Sequence, residues 1–208
     1  MSIENKNIPQ QEKGNHVDIK HETVLNDREK AEQLFEAAKK RLLNVSGWGE
    51  IADGISAKFQ LVNAAVQEVN RPAQVDDYFK IHIPGAPSSE TGEGNDWVRI
   101  ENIQDETDAA TDLQIVSVRV RSASNPQKLE TQPAHFFDES ATSTFVVKRK
   151  GNTVSAEVHG RNEVPNLQGN GIWDTIRHTI VAISAIIGFS NQQWNNLVKG
   201  LIEPEKEA

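Results

Sequence analysis

The chain predicts an α+β fold: a curved antiparallel sheet of about six strands, an N-terminal helix and a C-terminal helical hairpin. Two separated segments carry apolar residues at helical spacing, one between Asn26 and Asn44 and one from Ile172 to Ile202. Between them, from about Ser56 to Gly160, the apolar period is two. The links between those strands are short and lack helical pattern, whereas parallel neighbours need crossovers of about a dozen residues or more.

Residues 1–15 read as a disordered, cleavable or engineered leader, because MSIENKNIPQQEKGN has neither a basic region nor an apolar run. His16 to Leu25 alternates Val17, Ile19, Thr23 and Leu25 with polar partners and suits a short edge strand. Asn26 and Glu29 have capping-box spacing, and Ala31, Leu34, Phe35, Ala38 and Leu42 form one apolar helical face. Gly47, Gly49 and Gly54 end that helix, and Trp48 is expected to tuck into the core.

Strands follow at Ala57 to Leu61, Phe79 to Ile83, Val98 to Glu101 and Val116 to Arg121. Phe145 to Arg149 and Thr153 to His159 read as a hairpin across Lys150-Gly151-Asn152. Long loops run from Gly85 to Asn95 and from Ser122 to Ser140; in the second, Phe136 and Phe137 place at least one ring against the sheet. At the C-terminus Ile176, Ile180, Ile183 and Ile187 recur around a helix that Gly188 ends, and Ser190 with Gln193 caps a second one bearing Trp194, Leu197, Val198 and Leu201. The expected organisation is one domain over 16–202 with a frayed tail at 203–208.

Composition narrows the function. With 30 acidic and 22 basic residues the net charge is -8, which disfavours unspecific attraction to nucleic-acid phosphates. The helical hairpin has the outline of a helix-turn-helix, but its second helix carries one basic residue, Lys199, so no nucleic-acid partner is expected. There is no cysteine, hence no disulfide and no thiolate chemistry. The apolar run from Thr179 to Phe189 is about half the roughly 20 residues a spanning helix needs, so it reads as a core helix in a cytoplasmic protein without a membrane span.

Candidate chemistry is sparse. His159, Arg161, Asn162 and Glu163 form the densest polar cluster and offer a base, an anion clamp and a carboxylate, although the same residues serve equally as turn and ion-pair groups. His135, Phe136, Phe137, Trp97 and Trp173 complete the candidate binding set. The six histidines never take the spacing of a zinc hydrolase, and the run Asp105, Glu106, Asp108, Asp112 lacks the ligand order of a calcium loop. No catalytic residue, metal or cofactor is therefore assigned.

The order strand, helix, helical turn, about six strands and terminal helix resembles the helix-grip arrangement of lipid-carrier proteins, in which a curved sheet wraps a helix around a cavity. The chain departs from it in having two C-terminal helices and a long loop before the last hairpin. The runs DWVRIENI, HFFDESATSTFVV and HGRNEVPN also resemble an uncharacterised family of bacterial proteins without an assigned activity, which carries no function over. The leading expectation is a non-enzymatic protein-interaction or self-assembly module, since the helix from Ile172 to Ile187 is apolar on more than one side. The alternative is a small hydrophobic ligand-binding protein, or a hydrolase. In it Trp48, Phe59, Phe79, Trp97, Phe145 and Trp173 would line a cavity, and His159, Arg161 and Glu163 its mouth.

Overall fold

The computed structural model describes residues 6–52, 57–82, 92–128, 137–164 and 191–204. Its strands are β1 (Asn15–Val24), β2 (Lys58–Val62), β3 (Tyr78–His82), β4 (Asp96–Asp108), β5 (Leu113–Ser122), β6 (Thr142–Lys150) and β7 (Thr153–Glu163). Its helices are α1 (Arg28–Leu43), α2 (Trp48–Ile51), which follows a 3-10 turn at Val45–Gly47, and α3, residues 191–201.

All seven strands join one antiparallel curved sheet in the order β1-β7-β6-β5-β4-β3-β2. That is seven strands where about six were expected: the edge strand near 16–25 joins the six that follow, pairing with β7 almost along its whole length. The β6–β7 hairpin turns in two residues, with Gly151 at φ +58°, a backbone state that glycine adopts without strain.

Period-two patterning separates the faces. Val116, Val118 and Val120 of β5, Phe145 and Val147 of β6, and Val154, Ala156 and Val158 of β7 are buried toward the concave side. Against them α1 lays Ala31, Leu34, Phe35, Ala38 and Leu42, the face its spacing foretold. Its cap differs from expectation. Asp27, not Asn26, is the N-cap and accepts from the Lys30 amide at 2.8 Å, so Glu29 falls one place short of the capping-box position.

Trp48 is fully buried at the centre of the concave face. Its indole N–H donates to the Arg41 and Leu42 carbonyls at 3.2 Å, which lets a polar atom enter the core satisfied. Its ring lies 5.5, 5.4 and 4.7 Å from those of Phe59, Phe79 and Phe145, and Trp194 of α3 adds a contact to Phe145 at 5.3 Å. α3 passes so close to α2 that a Cβ on Gly200 would overlap the Ile51 carbonyl. The expected first helix of the C-terminal hairpin, 172–187, and its junction at Gly188 and Ser190 lie outside the described residues; α3 carries Leu197, Val198 and Leu201 into the core.

The outer face bears a strap. Residues 6–14, which the sequence reads as a leader, cross it: Asn7 donates to Ser117 Oγ at 2.6 Å, and its carbonyl accepts from Thr144 and Arg119. At the other end of the strap Asn162 binds the backbone of Gln10, Glu12 and Lys13.

Candidate functional site

The strand ends set the geometry. β2, β4 and β6 begin, and β3, β5 and β7 finish, at one end of the sheet, where β1 also begins. Two carboxyl groups stand at that end, both facing the concave side.

Asp96 opens β4. Val98 and Ile100 belong to the core, so period two puts Asp96 on the same face. It is 4% exposed, and among the described residues its Oδ1 has no hydrogen-bond partner. Burial pushes its carboxyl up to about 8.

Glu163 ends β7 and reaches the concave face by a backbone device. Asn162 takes φ +56°, a left-handed state that Asn tolerates better than most side chains, and this breaks the alternation that would have sent residue 163 outward. The carboxylate then occupies the space beside Gly160, where any Cβ would collide with Glu163 Oε1 and approach Val17. Burial raises Glu163 to about 7, with Arg161 pulling weakly the other way. Ser122 and Ser143 lie between the two acids on the same face, opposite Val98 and Val120 respectively. Both acids thus have an O–H to donate near neutrality.

The expected mouth of His159, Arg161 and Glu163 does not form. His159 and Arg161 face outward and join a ladder of charges with β1. His159 Nδ1 lies 2.5 Å from Asp18 Oδ1 and its Nε2 3.1 Å from Glu157 Oε2, while Arg161 donates to Asp18 at 2.7 Å. Burial would lower His159, but the two carboxylates outweigh it and hold the imidazole above its ordinary range. Burial would likewise raise Glu157, yet His159 and Lys148 bring it down to about 2. With both ring nitrogens held by carboxylates, His159 has no lone pair to offer as a base. Asn162 belongs to the strap.

Trp97 also leaves the expected wall. It lies on the outer face with Val62, Val66 and Tyr78, opposite to the Trp48 cluster. Phe137 is half-buried beside Asp138, whose amide bonds the Val164 carbonyl. His135, Phe136 and Trp173 lie outside the described residues. Of the six expected wall residues, Trp48, Phe59, Phe79 and Phe145 do meet, but their rings touch one another and fill the centre of the concave face. Asp96 was legible from period two carried back from Val98; the turn of Glu163 was not.

Among the described residues no three His, Asp or Glu side chains are grouped as metal ligands, and no helix is long and apolar enough to cross a membrane.

No family model matches the chain, and no curated protein matches it. Solved structures of related shape exist. TTHA0849 from Thermus thermophilus aligns over 89% of this chain and 94% of its own at 11% identity and a TM-score of 0.43. Truncated norcoclaurine synthase from Thalictrum flavum aligns over 95% and 100% at 10% identity, with a TM-score of 0.38. A START superfamily protein from Mycobacterium smegmatis aligns over 90% and 99% at 10% identity, with a TM-score of 0.36. At such identities and scores these likenesses assign no activity to this chain.

Proposed function

We propose that the chain binds a small, largely apolar molecule at the end of the concave face between Asp96 and Glu163, which supply the polar points that orient it. The observation that carries this reading is two buried carboxyl groups of raised pKa on the same face as the apolar core. A protonated carboxyl donates, so the ligand presents an acceptor such as a carbonyl or hydroxyl oxygen beside an apolar body. Binding is favoured over turnover, since His159, the base the sequence offered, is ion-paired on the far side of the sheet. The competing reading, a self-assembly module built on the helix from Ile172 to Ile187, has its helix outside the described residues.

The test is titration with a neutral naphthyl ketone fluorophore, followed by thermal melting. The wild-type protein is expected to take it up saturably, with a rise in Tm that grows with probe concentration. Asp96→Leu and Glu163→Leu each remove one donor and are expected to weaken uptake by roughly 2- to 13-fold, the equivalent of a hydrogen bond of about 0.5–1.5 kcal/mol. Absence of saturable uptake, or uptake by both variants as strong as that of the wild type, would refute the assignment. Native mass spectrometry of protein purified from its own cells reads the same question without a probe, as mass retained on the chain.

A further inference from the structure

β1 has β7 on one side, and among the described residues no strand on the other. Its ten residues thus form an edge of the sheet among the described residues, and folded proteins ordinarily cover or guard such an edge. The side chains along it form an ordered series. Asp18, Lys20 and Glu22 share the outer face with His159, because Asp18 is paired directly with His159 in register; Val17, Ile19, His21 and Thr23 share the concave face.

We infer that this edge pairs with the β1 edge of a second copy of the chain, antiparallel about a two-fold axis at Ile19, so that the two seven-stranded sheets become one. Antiparallel partners must lie on the same face, so the axis has to pass through a residue and not between two. An axis at Ile19 sets Asp18 against Lys20 of the second copy twice, over a ladder from residue 15 to 23. An axis at Asp18 puts Asp18 on Asp18, and one at Lys20 puts Lys20 on Lys20 and Asp18 on Glu22, like charges directly opposed. Axes farther along shorten the ladder.

The series is thus self-complementary in one long register and repulsive in its neighbours. Lys20 and Glu22 already lie 2.8 Å apart within the strand, and pairing would extend that alternation across the axis. The edge borders a groove lined by His16, Val17, Asp18 and Ile19 with Asn191, Gln192 and Asn195 of α3. A two-fold, isologous contact of this kind closes on itself and does not propagate.

The chain has no cysteine, so one introduced thiol reports the axis. At Ile19 the two facing Cα atoms would be about 4.5–5.5 Å apart, within disulfide reach. Ile19→Cys is expected to form a covalent dimer of twice the 23.1 kDa chain under mild oxidation, while Ala109→Cys, at the β4–β5 turn, stays monomeric at the same concentration. Lys20→Asp and Asp18→Lys are each expected to scatter light as monomers, and their equimolar mixture to recover the dimer mass, because each variant supplies the charges the other lacks. A monomeric wild-type protein, cross-linking of Ile19→Cys no faster than of Ala109→Cys, or a dimer that survives both charge reversals would overturn the inference. Asp18 also holds His159 and Arg161, so the cross-link stands as the readout independent of that pair.

Discussion

Glu163 owes its place to two neighbours, the left-handed Asn162 that turns it inward and the bare Gly160 that receives it. Gly160→Ala is therefore expected to lower stability by about 1–3 kcal/mol through overpacking, read as roughly 2–4 °C of Tm for each kcal/mol. The two buried acids titrate upward on folding, so each costs stability as pH rises from its unfolded value, 3.8 or 4.5, to its folded value of about 8 or 7. Asp96→Asn and Glu163→Gln should then melt higher than wild type at pH 9 and close to it at pH 4, and the reverse order would remove the burial argument. On the outer face the signs invert. Glu157 is depressed from 4.5 to about 2, so its contribution is complete above pH 4.5 and is lost as pH falls toward 2. His159 is raised, so its contribution is complete below its ordinary 6.5 and disappears as pH climbs through the folded value. Melting curves of Glu157→Gln and His159→Gln should be flatter than wild type in the acid and the neutral-to-alkaline range respectively. Polar density along the chain alone grouped His159, Arg161 and Glu163; one backbone angle at Asn162 divides them, and no side-chain pattern announces it.

Elements defined by periodicity match the sequence closely, and those defined by long-range polar contacts do not. The apolar face of α1 and the β6–β7 hairpin follow from residue spacing. The cap one residue later than expected does not, because Asn26 and Asp27 are chemically equivalent as caps and only the entry angle of the chain selects Asp27. Asp27→Ala is expected to cost about 1 kcal/mol by chemical denaturation, and Asn26→Ala much less. The strap 6–14 was hidden for another reason: its composition is that of a solvated leader, and its bonds go to Ser117, Thr144 and Asn162, more than a hundred residues away. Hydrogen exchange makes it testable at the element scale. Asn7→Ala should speed exchange of the buried outer-face amides around Ser117 and Thr144, while leaving amides of α1 unchanged.

For the molecule as a whole, the aromatic cluster is the keystone between sheet and helices. Phe145 touches both Trp48 and Trp194, so Phe145→Ala is expected to cost about 3–5 kcal/mol and to loosen α3 together with α2. The fold class was legible because each layer repeats its own period over many residues; the filled centre was not, because periodicity tells which rings point inward but not whether they meet. Trp97, apolar yet on the outer face, is the same ambiguity at one position: its strand carries apolar residues on both sides, and only Val62, Val66 and Tyr78 decide. The β1–β7 pairing also orders events during synthesis. The paired residues of β1 have partners made 129 to 148 residues later. At roughly 5–20 residues per second the first strand waits about 6–30 s on the ribosome for its neighbour, with β2 to β6 already emerging. The nascent chain thus carries β1 without its sheet neighbour through the synthesis of five further strands, and the last strand of the sheet to be translated is the one that pairs with it.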